Sequence, residues 1–470
     1  MGTGTRSTSR SSWPPVLMVV GLLVLGVAGL RLFGADDGDA ASAVDEGPLA
    51  DCDVGGCKAN ADVRPARGYE VPSVVVDPGD PDHLVVADVN LVGGLCGWHV
   101  TFDGGEEWED GVFELPTGFK NCQLDSAGFL SAGNIARGPS GTLYYVFSSA
   151  RVDEAKTHLE GESVLVARSS DGGRSFAPAT VAVPGGSTEV NYVRPSVNVV
   201  AGADGTDRVL VSFWGCDLVA CARAHFAQSL DGGASFSPPV LVSVDDPGGT
   251  SPSAPMVDAD GTVHVMFVRH SDDPSVDSQL ALARSTDGGA SFANTTIDSQ
   301  PFLGRTYDAA ELATSPDAST LYTVFSDNRQ GRPDVFFRRS IDGGDTWDQA
   351  VLLNSLSEGG AFLPNVSVGP GGRIDVAFYQ QTRENVNDVV WTHSNDGGDT
   401  FPRPLQLNDA FIDRDVGYSF EVGDSYGPGV ASAPAAAFVV WSDSRLGNGL
   451  TDTQDTVLRR APVPPAGPGT

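Results

Sequence analysis

Basic residues are scarce in this 470-residue chain: 29 Lys and Arg stand against 61 Asp and Glu, giving a formal net charge of −32. A field of that sign repels phosphate backbones, which argues against a nucleic-acid partner. Histidine is sparse too, with seven residues scattered along the chain. No H-E-x-x-H metal motif and no phosphate-binding loop occurs. Of the histidines, His264 and His393 read as ordinary strand residues. His270–Asp277, HSDDPSVD, is rich in Asp and could be considered for Ca²⁺. It lacks EF-hand spacing, so a solvated loop is the better reading and no cofactor is expected.

Cysteines number only six, and none forms C-x-x-C or stands with a histidine pair, so a zinc site is disfavoured. They fit an oxidising compartment. Fifteen connectivities are open, and the spacing favours Cys52 with Cys57 and Cys216 with Cys221, leaving Cys96 with Cys122.

What is abundant is turn chemistry: 57 glycines and 31 prolines, with 40% hydrophobic residues to supply a core. This composition fits many short strands joined by tight turns and argues against helices. One long apolar run stands apart, from Val16 to Leu30 and on to Phe33. Arg6 and Arg10 precede it, and Asp36, Asp37 and Asp39 follow. That asymmetry keeps the N-terminus in the cytoplasm and exports the rest. The segment 14–33 is expected to be an uncleaved transmembrane anchor, with a cleaved signal as the alternative because Ala41-Ser42-Ala43 fits a cleavage site. Residues 1–13 would be a cytoplasmic tail, 34–64 a linker and 464–470 a tail.

An eight-residue pattern recurs six times: TFDGGEEW from Thr101, SSDGGRSF from Ser169, SLDGGASF from Ser229, STDGGASF from Ser285, SIDGGDTW from Ser340 and SNDGGDTF from Ser394. Its aspartates, Asp103, Asp171, Asp231, Asp287, Asp342 and Asp396, are separated by 68, 60, 56, 55 and 54 residues. Asp-Gly-Gly favours a hairpin because glycine takes positive φ without steric cost. The carboxylate and the Ser or Thr hydroxyl can hold amides across the turn. The closing ring (Trp108, Phe176, Phe236, Phe292, Trp347 or Phe401) would anchor the turn to the sheet.

Strand-like runs surround each turn. LYYVF, VLVSFW, VHVMFV, LYTVF and IDVAFY precede successive turns. PSVVVDP, PSVNVV and PNVSVGP open units, and PPVLVS follows a turn. Four strands per unit of about 55 residues predict the blades of an all-β propeller over 65–463. AAFVVWSDSR and DTVLRRAPV form a seventh unit without its Asp turn. Its missing strand could come from ANADVRPA, ahead of Tyr69, closing the ring with both chain ends. Seven blades are expected, with six plus an appendage as the alternative.

These turns resemble the BNR or Asp-box repeat of sialidases and related exported bacterial proteins. The resemblance implies a propeller whose Asp boxes are scaffold. It does not imply one chemistry, because the same repeats occur in receptor and assembly-factor propellers. A sialidase would need three arginines for a carboxylate, a tyrosine nucleophile with a glutamate base, and an aspartate acid. Arg151, Arg329, Arg383 and Arg445 recur at the same place in four units, so they read as loop supports, paired with Asp327 or Asp443. The box-flanking Arg168, Arg284 and Arg339 read the same way.

Residues peculiar to one unit are the better candidates, at the central mouth where inner strands begin. Tyr192 and Arg194 lie in YVRPS. Arg305, Tyr307, Asp308 and Glu311 lie in GRTYDAAE, and Glu421, Asp424 and Tyr426 in FEVGDSYGP. Glu70 and Glu189 open the first and third units and, with Tyr192, are expected to bind ligand. Arg194, Arg305, Tyr307, Asp308, Glu421, Asp424 and Tyr426 are the catalytic candidates. A third arginine is hard to find, so water-holding channel residues are the competing reading. The expected function is binding of a glycan or other extracellular ligand by a cell-surface monomer. An exo-acting sialidase-type hydrolase and a protein-assembly or receptor module are the alternatives.

Overall fold

The computed structural model describes residues 61–62, 69–90, 95–119, 133–152, 159–185, 191–216, 221–244, 252–269, 278–300, 310–354, 359–383, 386–410, 412–413, 427–444, 455–461 and 463. The apolar segment 14–33, the tails, and most of the 34–64 linker lie outside them.

Seven antiparallel sheets of the same order make the fold. The first blade holds Tyr69–Asp77, Asp80–Asn90, Leu95–Thr101 and Glu109–Val112. The second holds Asn134–Arg137, Leu143–Val152, Leu159–Ser169 and Ala177–Val183, and the third Asn191–Ala201, Asp207–Cys216, Cys221–Ser229 and Val240–Leu241. The fourth holds Met256–Val257, Val263–Arg269, Ser278–Ser285 and Ala293–Gln300, and the fifth Ala310–Thr314, Leu321–Asp327, Asp334–Ser340 and Val351–Leu352. The sixth holds Ala361–Val368, Ile374–Arg383, Val386–Ser394 and Leu405–Gln406, with Ile412–Asp413 added beside its third strand.

The seventh blade supplies Gly429–Ala433, Ala436–Asp443 and Asp455–Ala461. Its fourth strand is Ala61–Asp62, with Ala61 opposite Leu458 and Asp62 opposite Val457. The ring therefore closes with both ends of the propeller, and it reaches back into the segment expected to be linker. Seven blades replace the six-blade alternative. First strands adjoin around a common axis, the seventh blade's returning to the first. Between the third and fourth blades the Asn198 side-chain amide donates to the Pro255 carbonyl at 2.9 Å.

Seven apolar clusters form the core, and each spans two neighbouring blades. This explains why second strands such as Leu321–Asp327 are buried at every position. Successive side chains point to opposite faces of a strand, and each face of a blade meets another blade. Burying one such Val, Leu or Phe contributes roughly 1.5–3 kcal/mol.

The Asp boxes join third to fourth strands, and all six are built alike. The Ser or Thr hydroxyl donates to the Asp Oδ1 at 2.7–2.8 Å. The same hydroxyl accepts the second glycine's amide at 2.7–2.9 Å. Asp Oδ1 also accepts the amide four residues on at 2.9–3.0 Å. Each closing ring enters a cluster between its own blade and the preceding one: Phe176, Phe236, Phe292, Trp347 and Phe401 along the series, and Trp108 at the seam between seventh and first.

The box-flanking arginines are inter-blade braces. Arg168 donates to the Gly232 carbonyl at 3.0 Å, Arg284 to Gly343 at 3.3 Å and Arg339 to Gly397 at 2.9 Å. Gln228 does the same to Gly288 at 2.6 Å, and the His83 Nε2 lies 2.7 Å from the Gly172 carbonyl.

Candidate ligand-binding mouth

Inner strands start at the face that carries the loops between second and third strands, and the Asp boxes lie at the opposite face. This follows from the shared antiparallel order of every blade. The mouth is therefore built from the first residues of inner strands.

Glu70 sits second in the first blade's inner strand, opposite Val89. Tyr192 packs its ring edge-on to Phe213 and His225, with centroids 5.0 and 5.6 Å away. Burial raises its phenol pKa, so it is a wall residue of the third blade. Two positions on, Arg194 lies in a bulge between Val193 and Ser196, with φ of 52° and 9% exposure. Its guanidinium lies over the Trp214 ring, 5.0 Å from the centroid.

Positive φ at a non-glycine residue often marks a functional site. Here it recurs: Leu363 has φ of 53° in a bulge between Phe362 and Asn365, ahead of Pro364. The first blade shifts register between Glu70 and Ser73, around Pro72. The bulge is thus a repeated device for admitting proline into an inner strand, and what distinguishes the third blade is the arginine placed on it.

Glu311 is second in the fifth blade's inner strand. Burial pushes its carboxyl up to about 8, against the opposing effect of a hydrogen bond from the Ala254 amide. Ala254 precedes the fourth blade's inner strand, so three successive blades contribute here. From the third blade, the Ser212 hydroxyl donates to the Ser253 carbonyl at 2.6 Å. Arg305, Tyr307, Asp308, Glu189, Glu421, Asp424 and Tyr426 lie outside the described residues, as does His270–Asp277.

Arg329 is a loop support as expected. Its Nε lies 3.0 Å from both Asp327 oxygens, its Nη2 lies 2.9 Å from Asp298, and its guanidinium lies 4.3 Å from the Phe336 centroid. Arg151 lies over Phe119 at 5.6 Å, Arg445 lies outside the described residues, and only the strand position of Arg383 is described. Cys216 and Cys221 stand opposite each other across the mouth-side hairpin of the third blade. Cys96 is buried in the first, and Cys52, Cys57 and Cys122 lie outside the described residues. Trp214 was not singled out from sequence; no local motif distinguishes it.

A guanidinium over an indole and a carboxyl that keeps its proton near neutrality can each donate hydrogen bonds to oxygen-rich ligands. No family model matches the chain, and no curated protein matches it. Solved structures do. An ulvan lyase of the PL25 polysaccharide lyases is similar with a TM-score of 0.50 and 11% identity, covering 85% of this chain and 95% of that one. The Hadza microbial sialidase Hz136 gives 0.44 and 17%, covering 78% and 74%. The Trypanosoma rangeli sialidase gives 0.43 and 10%, covering 82% and 70%. The fold is a seven-bladed propeller. Identities this low speak to the fold alone.

Proposed function

We propose that this propeller binds an extracellular glycan at the mouth-side ends of its inner strands. The supporting observation is the placement of Glu311, half-buried at the second position of the fifth blade's inner strand, where burial raises its carboxyl to about 8. A carboxyl that stays protonated at neutral pH both donates and accepts, matching the hydroxyls of a sugar. Arg194, largely buried over the Trp214 ring, adds a guanidinium two blades away. Cell-surface display fits this reading, with segment 14–33 as the anchor, a monomeric ring, and Cys216–Cys221, Cys96–Cys122 and Cys52–Cys57 as disulfides.

Glycan-array binding by the purified chain, followed by calorimetry on the best ligand, tests it. Glu311→Ala should weaken binding about tenfold, the loss of roughly one good hydrogen bond. Glu311→Gln should bind at pH 7 and keep its affinity at alkaline pH, where the native protein weakens as Glu311 ionises. Absence of any glycan signal from the native chain rejects the proposal.

The same raised carboxyl favours a second reading, a glycoside hydrolase with Glu311 as proton donor. Turnover of fluorogenic glycosides, a sialoside among them, that is lost in Glu311→Gln and Arg194→Ala would support it; no turnover across the panel would exclude it.

A further inference from the structure

Where the ring closes, one buried histidine meets two carboxylates. His99, in the third strand of the first blade, has a fully buried side chain. Its Nε2 lies 3.1 Å from Asp88 Oδ2, and its Nδ1 lies 2.9 Å from Asp110 Oδ1. Asp88 is buried and also accepts the Thr456 hydroxyl of the seventh blade at 2.8 Å. A carboxylate only accepts hydrogen bonds, and a neutral imidazole has one N–H. A neutral ring would set a nitrogen lone pair against one of the two carboxylates. Only the imidazolium donates to both.

We propose that His99 is a charge-dependent latch on the seam between the first and seventh blades, its imidazolium holding the ring shut and its deprotonation loosening that seam alone. The seam has a defined charge pattern. Arg460 lies 3.7 Å from Asp82 at one end. Val74, Val76, Leu84, Val86, Phe438 and Leu458 fill the middle. At the other end Asp88 from the second strand, His99 from the third and Asp110 from the fourth face one another, and the seventh blade presents the uncharged Thr456. Arg137 and His83 turn instead to Asp77. Loss of the proton leaves two carboxylates bracketing a neutral ring, one of them facing a nitrogen lone pair.

Burial opposes the charged ring, yet Asp88 and Asp110 push its pKa up from 6.5 to about 9. A folded pKa raised above the unfolded one gives stability that is complete below about pH 6.5 and lost as pH rises through about 9. The seventh blade that Thr456 belongs to is completed by the two-residue closing strand, Ala61–Asp62.

The test uses the full chain. Imidazole nitrogen resonances should show His99 doubly protonated at pH 7 and titrating near pH 9; a neutral ring at pH 7 overturns the proposal. Amide exchange, corrected for its intrinsic pH dependence, should rise about tenfold more in Asp455–Ala461 than in Val263–Arg269 of the fourth blade between about pH 7.5 and 10. Equal changes in the two strands overturn it. Asp110→Asn should move the onset of that difference to lower pH. Thr456→Val removes the hydroxyl that ties the seventh blade to Asp88 and leaves the His99 charge intact. It should make seventh-blade exchange independent of the His99 titration; an unchanged pH profile overturns the coupling.

Discussion

Arg373 of the sixth blade donates its Nη2 to the Ala436 carbonyl of the seventh at 2.7 Å. The same nitrogen reaches the Ala433 carbonyl at 3.1 Å, while Nε bridges both Asp375 oxygens at 3.0 Å. Asp375 in turn accepts the Trp391 indole at 3.2 Å and the Ser432 hydroxyl at 2.6 Å. The seventh blade has no Asp box to offer a glycine carbonyl, and this buried fork takes the place of the brace used at other seams. Removing Asp375 would leave a buried, unpaired guanidinium, which costs about 3–5 kcal/mol. Asp375→Ala is therefore expected to lower the denaturation midpoint far more than the pair Arg373→Met with Asp375→Leu, which removes both charges. Equal losses in the single and double variants would show that Arg373 matters through the carbonyls and not through its charge partner.

Gly398, the second glycine of the sixth box, has φ of 97°, and a Cβ there would lie 2.5 Å from the Phe337 ring of the fifth blade. Gly372 has φ of 81° with nothing near such a Cβ. Alanine at Gly372 should cost about 1–2 kcal/mol from backbone strain alone. Alanine at Gly398 should add roughly 1–3 kcal/mol for overpacking the seam. Chemical denaturation of the two variants checks this; indistinguishable midpoints would mean that the box glycine serves only the turn.

The six boxes made the blades legible because each turn is a local device: hydroxyl, carboxylate and glycines lie within five residues of one another. The boxless seventh blade was legible from its repeated strand pattern, and its closing strand from the residue run left before Tyr69. The seams were not. His99 contacts Asp88 and Asp110, each eleven residues away, and only the hairpin registers bring them together. Thr456 joins them from 368 residues away. Arg373 reads in sequence as one arginine beside a turn glycine. At the mouth, Glu311 was visible as an acid at a strand start, but its raised pKa comes from burial between blades, which no sequence window contains. Arg194 stood out through an Arg-Pro pair whose bulge proved common to several blades. Glu189, Arg305, Tyr307, Asp308, Glu421, Asp424 and Tyr426 fall outside the described residues.

Acid stability should follow the box aspartates. The Thr346 hydroxyl and amide, with the Ser340 hydroxyl, hold the Asp342 carboxyl down at about 2. Against the opposing pull of burial, the hydroxyls of Ser394 and Thr400 and the Thr400 amide do the same for Asp396. Asp231 and Asp287 are lowered as well, first by the hydroxyls of Ser235 and Ser291. A folded pKa below the unfolded value gives stability that is present above about pH 4 and lost as pH falls through the folded value. All of these shifts have the same sign, so the stabilisation from the boxes should persist through mild acid and be lost only as the lowered carboxyls protonate. Circular dichroism is expected to hold to about pH 3 and to fall away near pH 2. Thr346→Val removes the strongest donor to Asp342 and should move the onset of the acid transition to higher pH, with little effect at pH 7 on the other boxes. An onset at the same pH as the native chain would mean that the seams between blades, and not the box carboxylates, set the acid limit.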